Sequence, residues 1–371
     1  MKEKIRGSII GAALGDALGA PIEKLSHSKI KEMYGKVTDL NVESYKSKSK
    51  THGKGYGRIT DDTLLSIRLC EMYNEKIDHI DTYDVFTLIK KIFFQKMWVP
   101  EYQKEIPLIE RLFYPEKYIF LSNYLASRDP RSGGTGNMVN CGAAMYMTPV
   151  GLVNACDPLR AYEEAINFGL SHQHSYGLEA AGVFAACVAA AMIPGIKMSE
   201  VASLAIDLAK DGTQLAIKDI VKETVLMDKN EDNADKFHEI IKKYSPMGDN
   251  VERFEDQVGL PTENYTPSRL KSIEELPIAI GYCMLYEDDL MRAMTEGVNS
   301  GRDTDSIGVM IGAILGAKLG VQSINEELID HLKDANRYDF MDIADKFYET
   351  VSEIHEKDRK RYINIIDMRK R

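Results

Sequence analysis

Glycine punctuates the longest apolar stretches of the chain at a fixed interval. From Lys4 to Glu23 the pattern predicts a helix in which Gly7, Gly11, Gly15 and Gly19 recur every fourth residue and so share one face. A glycine inside a helix costs roughly 1 kcal/mol relative to alanine, so four on one face imply a compensating close approach by another backbone. The run from Ile307 to Gly320 repeats the design with Gly308, Gly312, Gly316 and Gly320. Both glycine faces are expected on central, closely packed helices, and packing against each other is one arrangement. Asp16, an acid inside the first apolar run, reads as a buried cap or loop anchor before it reads as catalytic. Pro21 ends the helix and leaves Glu23 at its C-terminal edge, where a carboxylate gains nothing from the helix dipole. An acid held there is a mild hint of function.

Helical spacing continues from Thr63 to Met72, with Leu65, Leu69 and Met72 on one face. Further helices are expected at about Thr82 to Lys96, around Ile106 to Leu112, and in the alanine-rich run from Glu179 to Met192. Met198 to Ser272 is charged and partly periodic, with a break marked by Pro261 and Pro267. Ser26 to Arg58, carrying Lys46, Lys48, Lys50, Lys54, Gly53, Gly55 and Gly57, has loop chemistry; it reads equally as a linker or as a cover over a substrate. Trp98, next to Val99-Pro100, is expected in the core. Val321 to Arg371 reads as helical, charged and peripheral. Strand signals are scarce, so the expected fold class is all-α, one domain over 1–371 with about 200–275 as a peripheral insertion.

Composition narrows the function more than the fold. A hydrophobic content of 44% and a charged content of 28% are ordinary for a globular protein. The net charge of -10 argues against a nucleic-acid-binding surface, which needs clustered Lys and Arg. It suits a cation-dependent site, because carboxylates held together stay charged only beside a cation. Cys70, Cys141, Cys156, Cys187 and Cys283 are scattered without a CxxC pair, as in a reduced cytosolic protein. The first residues lack a signal-peptide core, and no apolar run reaches the roughly 18 residues of a membrane span. The expected location is cytoplasmic.

Two acidic motifs carry the chemistry. Ile59-Thr60-Asp61-Asp62-Thr63 and Gly301-Arg302-Asp303-Thr304-Asp305-Ser306 each follow glycine and precede an apolar run, which sets carboxylates at a helix N-terminus. Either motif alone reads first as a solvated cap. Together, their carboxylate and hydroxyl oxygens make a hard donor set that suits Mg²⁺ or Mn²⁺ rather than Zn²⁺. Ser132-Gly133-Gly134-Thr135-Gly136-Asn137 is a loop able to present backbone N–H groups to an anion, but it lacks the spacing of a P-loop. His172 and His174 stand two apart and do not share a helical face, so they make a poor zinc pair; one of them lining a pocket is the better functional reading, with surface or cap roles equally open.

In these blocks, Gly11 to Glu23, Gly57 to Thr63, Gly133 to Gly151 with Ser171-His172, and Gly301 to Gly320, the sequence resembles the ADP-ribosylglycohydrolase family, the relatives of dinitrogenase reductase-activating glycohydrolase. The resemblance implies a compact all-helical domain around a central cleft holding two Mg²⁺ or Mn²⁺ ions. Thr60, Asp61, Asp62, Asp303, Asp305 and Ser306 would be metal ligands, with Asp305 bridging, and Glu23 the acid beside the metals and the ribose. Glu23, Asp62 and Asp305 would serve the reaction directly. Gly133, Gly134, Thr135, Gly136, Asn137 and Asn140 would hold the diphosphate, and His172 would line the nucleotide pocket. Four positions depart from the family pattern: Cys141 stands for asparagine, Tyr146 for arginine, Ser306 for threonine, and Arg302 for a frequent glycine, adding a charge at the mouth of the cleft.

The implied activity is metal-dependent hydrolysis of the glycosidic bond at C1″ of an ADP-ribosyl group on a protein or small molecule. Cleavage of another N-ribosyl bond is the nearest alternative. A non-catalytic ADP-ribose-binding protein on the same scaffold is the alternative from a different class.

Overall fold

In a computed structural model, described over residues 1–45, 55–99, 102–244 and 273–370, the chain forms an all-α fold with one two-stranded sheet. Its centre is a pair of helices that are apolar nearly all round, as buried helices are. One is α1 (Lys2–Gly19); the other, near the end of the chain, is α14 (Thr304–Leu319). They run antiparallel and meet through the two glycine faces. A methyl group built on Gly15 would lie 2.0 Å from the Gly308 carbonyl oxygen, and Gly7 and Gly19 face Gly316 and Thr304 in the same way. The Ser8 hydroxyl donates to the Ala313 carbonyl at 2.9 Å across this seam.

Around the pair the chain runs through α2 (His27–Tyr34), α3 (Asp61–Lys76) and α4 (Val85–Phe94), the strands β1 (Lys96–Val99) and β2 (Lys104–Pro107), and α5 (Tyr114–Ala126). There follow α6 (Thr148–Val153), α7 (Pro158–Gly169), the alanine-rich α8 (Ser175–Ala191), α9 (Met198–Leu208), α10 (Asp211–Thr224) and α11 (Ala234–Lys242). The last stretch holds α12 (Glu275–Leu285), α13 (Leu290–Asn299), α14, α15 (Glu326–Asn336) and α16 (Phe340–Arg369). One buried cluster runs from Ile5 to Ile354.

Local expectations fail at four places. Residues 106–112 are not a helix: Pro107 is extended (φ -61°, ψ 145°), Ile106 lies in β2, and only a short 3₁₀ turn, Leu108–Glu110, follows. Proline removes a donor and drives the preceding residue toward extended backbone. Residues 26–58 contain α2, started by the Ser26 hydroxyl accepting the Lys29 N–H at 3.2 Å and stopped at Gly35. It buries only Ile30, so its apolar signal was too weak to see. Lys46, Lys48, Lys50, Lys54 and Gly53, like Pro261 and Pro267, lie outside the described residues. Trp98 is only half-buried in β1, with the Arg337 guanidinium 4.4 Å from its ring centre.

The stretch after 321 also reaches the core. Phe340, Ala344, Phe347, Val351 and Ile354 are buried on α16, against α1 and α3. Asn336 at the end of α15 holds the segment leading into the first acidic motif: its Nδ2 donates to the Gly57 carbonyl at 2.7 Å, and its Oδ1 accepts the Ile59 N–H at 3.1 Å. Among the described residues, no helix is long and apolar enough to cross a membrane.

Candidate metal centre

The seam between α1 and α14 sets the two acidic motifs side by side. Asp16 is fully buried near the end of α1, and its Oδ2 accepts the backbone N–H of Thr60 at 2.9 Å and of Thr63 at 3.2 Å, together with the Thr63 hydroxyl. Asp16 is therefore the anchor of the α3 N-terminus, as its apolar surroundings suggested. The Thr60 hydroxyl caps the same end by accepting the Asp62 N–H at 3.2 Å and donates to Asp62 Oδ1 at 3.1 Å. Across the seam, the Ser306 hydroxyl donates to Asp62 Oδ2 at 3.0 Å. One hydrogen bond thus joins motifs 244 residues apart. Asp61 turns the other way and accepts the Phe113 N–H at 2.8 Å.

Glu23 arrives by backbone pairing. After the 3₁₀ turn Ala20–Ile22, the Lys24 N–H donates to the Arg302 carbonyl at 2.7 Å and the Arg302 N–H to the Leu25 carbonyl at 2.7 Å. Ser26 and Gly301 form an isolated bridge beside them. Gly301 has φ +90°, and a methyl there would lie 2.6 Å from the His27 nitrogen, so only glycine fits. The result is a carboxylate cluster in which single oxygens of Glu23, Asp303 and Asp305 all lie within 4.8 Å of one another.

Electrostatics show how crowded the negative charge is around Asp62. Burial, and then the neighbouring Asp16, Asp61 and Asp303, push the Asp62 carboxyl well above its ordinary range, against the opposing hydrogen bond from Ser306. Like charges crowded out of water favour protonation unless an opposite charge is supplied. The donor set of carboxylates with Thr60 and Ser306 hydroxyls is what Mg²⁺ or Mn²⁺ accepts. The residues fit a divalent cation on that chemistry.

The residues expected on the substrate side are held by contacts within the protein. In the 132–137 loop the N–H groups of Gly133, Gly134, Thr135 and Asn137 donate to the carbonyls of Pro130, Leu170, Ser132 and Gly134. Methyl groups on Gly133 and Gly134 would lie 2.0 Å and 2.1 Å from the Ser171 and Gln173 carbonyl oxygens. These glycines serve the close approach of the 171–173 turn, and their amides are not an open anion nest. Thr135 and Gly136 form the exposed rim, while the Asn137 side chain donates to the His172 carbonyl at 2.7 Å. Asn140 is committed as well: its Nδ2 donates to Glu116 at 2.9 Å, and its Oδ1 accepts from Gln173 Nε2 at 2.8 Å and the Gly142 N–H at 3.0 Å.

His172 lies wholly inside the protein. Its ring stacks on Phe120 with centroids 5.1 Å apart, its Nε2 meets the Tyr146 hydroxyl at 2.6 Å, and its Nδ1 meets the Ser171 hydroxyl at 2.9 Å. Burial pulls its pKa down to about 3, so it is neutral, and its carbonyl fixes the Asn137 side chain. His174, partly buried at the start of α8, bonds the Asn137 carbonyl through Nε2 at 2.8 Å. Arg302 forms a two-bond ion pair with Glu274, including a 2.9 Å contact from Nη2, so its charge is paired.

Three further groups enter the site: Glu116 and Glu275, which no motif announced, and Cys141, known from the sequence only as a departure from the family pattern. Glu116 on α5 is buried, and its carboxyl is pushed up to about 8 by burial, with Asp61 and Asp303 adding to the shift against the Asn140 hydrogen bond. The Cys141 thiol donates to Asp303 Oδ2 at 3.3 Å, and Glu275 at the start of α12 lies beside both. Glu116 and Glu275 belong to ordinary amphipathic or apolar helices, so only folding reveals them.

An all-α fold with an oxygen-rich acidic centre suited to divalent cations is the class that emerges from this geometry. The profile of the ADP-ribosylglycohydrolase family matches residues 1–357, and the chain belongs to that family. An uncharacterized protein of Archaeoglobus fulgidus is 27% identical over 350 residues, covering 94% of this chain and 97% of its own. The uncharacterized protein YegU of Escherichia coli is 26% identical over 339 residues, covering 91% and 94%. Among solved structures, an ADP-ribosylglycohydrolase-related protein complex aligns with a TM-score of 0.63 at 16% identity, over 94% of this chain and 98% of that one, a likeness of fold.

Proposed function

We propose that the protein is a metal-dependent hydrolase that cleaves the glycosidic bond at C1″ of an ADP-ribosyl group carried by a protein or small molecule. The observation that carries this reading is the convergence of Glu23, Asp303 and Asp305 within 4.8 Å, beside an Asp62 tied to Ser306. On this reading Thr60, Asp61, Asp62, Asp303, Asp305 and Ser306 would hold two Mg²⁺ or Mn²⁺ ions. Such a pair supplies orientation of ribose hydroxyls and a more acidic bound water. The chain's own groups do the rest. Scission builds oxocarbenium character on the ribose, which nearby carboxylates stabilise. Glu23, held by the 24–26 and 301–302 pairing, orients the ribose or relays a proton. With the amides at 133–135 and 137 closed, the diphosphate contact falls to the exposed edge at Thr135 and Gly136.

That closure, with tyrosine at 146 where the family carries arginine, favours one second reading: another N-ribosyl bond, in a nucleoside or nucleotide without a diphosphate. The deciding experiment is mass spectrometry of products from a panel of ADP-ribosyl linkages and simple nucleosides, with Mg²⁺ or Mn²⁺ and again with a chelator. Chelator-sensitive release of ADP-ribose, lost in Asp305→Ala, is the expected result. Release from nucleosides alone supports the second reading; tight ADP-ribose binding with no turnover of any linkage overturns both.

A further inference from the structure

The acid cluster extends beyond the residues that the two motifs supply. Cys141 Sγ, an oxygen of Glu275 and an oxygen of Asp303 lie within 4.8 Å of one another. They come from three separate elements: the loop before the Ala144–Tyr146 turn, the first turn of α12, and the turn ahead of α14. The Ser306 hydroxyl, which donates to Asp62, lies 3.3 Å from the same sulfur. Glu275 is 1% exposed and Cys141 7%.

The sulfur is held in place from both sides. Asn140 before it is locked by Glu116, Gln173 and the Gly142 amide, and the Met145 N–H donates to the Cys141 carbonyl at 2.9 Å. A buried cysteine ordinarily serves as a small apolar filler, and Cys70, Cys187 and Cys283 sit in that way within α3, α8 and α12. Cys141 instead meets a carboxylate and a hydroxyl.

We infer that Cys141, Glu275 and Asp303 form a further cation position that takes a borderline-soft divalent ion such as Zn²⁺ or Co²⁺ ahead of Mg²⁺. One sulfur with two carboxylates supplies three donors of kinds zinc binds, the number found in zinc sites that keep a fourth position open. Magnesium keeps oxygen ligands and gives up its waters reluctantly, so a thiolate selects against it. On binding, the ion takes the place of the proton that Cys141 now shares with Asp303, and that proton leaves to solvent. The position shares Asp303 with the proposed oxygen-only centre, while Cys141 and Glu275 belong to it alone, and it does not require the hydrolase reading.

Titration of the full chain with Co²⁺, followed by absorption spectroscopy, tests it. The expected result is a near-ultraviolet thiolate-to-cobalt band in the native protein, absent from both Cys141→Ser and Cys141→Ala. Calorimetric Zn²⁺ affinity should fall at least about tenfold in those variants, no less than the loss of a metal site's outer-shell partner, and Glu275→Gln should weaken it while keeping the band. Asp305→Ala should lose Mn²⁺ binding at the oxygen centre and retain the band, which separates failure of this inference from failure of the proposed function. The inference is overturned if native protein binds Co²⁺ without a thiolate band. It is equally overturned if the band survives Cys141→Ser, if Zn²⁺ affinity is unchanged in folded Cys141 variants, or if Asp305→Ala abolishes the band.

Discussion

Gly11 and Gly312 meet backbone to backbone across the centre of the protein: a methyl group on Gly312 would lie 1.9 Å from the Gly11 carbonyl oxygen. Nothing at that distance can yield except the two helices themselves. Gly312→Ala is therefore expected to destabilise the fold by about 3 kcal/mol or more, at the upper end for overpacked cores, as read by urea denaturation. The same seam sets Asp62 against Ser306, so divalent-cation affinity should fall in the folded fraction. A melting point and cation affinity equal to the native protein's would show that the seam is looser than its geometry.

Asp16→Ala removes the acceptor for two amides and a hydroxyl at the start of α3. Hydrogen bonds to a charged group contribute roughly 1.5–3 kcal/mol, and buried donors left without an acceptor add to the loss. The variant should be destabilised by about 3 kcal/mol in chemical denaturation, with weaker Mn²⁺ binding because Asp61 and Asp62 lose their fixed helix start. An unchanged Mn²⁺ affinity would show that the acids are positioned by other contacts.

Glu116 makes a prediction with a defined sign. Its folded pKa, about 8, lies above the ordinary 4.5, so the folded state holds a proton that the unfolded chain releases. Native stability therefore falls as pH rises from about 4.5 to about 8, by up to about 1.4 kcal/mol per pH unit. Glu116→Gln keeps an acceptor for Asn140 and has no proton to lose. Measured in chelator, the variant's stability relative to native protein should rise across that window and level off above it. A pH-independent difference would place the carboxyl in a more solvated setting.

Tyr146→Phe leaves the His172 Nε2 without its hydrogen-bond partner inside the core. An unsatisfied buried group costs roughly 1–3 kcal/mol, and thermal denaturation should register that loss. Because His172 braces the 132–137 loop through the Asn137 contact, hydrogen exchange in that loop should also rise. Native-like exchange there would detach His172 from the loop's rigidity.

The glycine spacing and the two acidic motifs were legible in the sequence because each is local: four glycines on one face demand a backbone neighbour, and hydroxyls beside carboxylates have few uses at a helix start. The family followed from the same blocks. What the residue pattern left open was which backbone those glycines would meet, and the antiparallel match of Gly11 with Gly312 decided it. The roles of Gly133, Gly134 and His172 were open for a different reason. A glycine-rich loop has the same composition whether its amides face an anion or the carbonyls of Pro130 and Leu170, and a histidine looks the same on a pocket wall or behind it. Glu116 and Glu275 carry no local signal at all, and Cys141 showed only as a departure from the family pattern, because their chemistry arises only where separate elements exclude water together and bring these groups within a few ångströms.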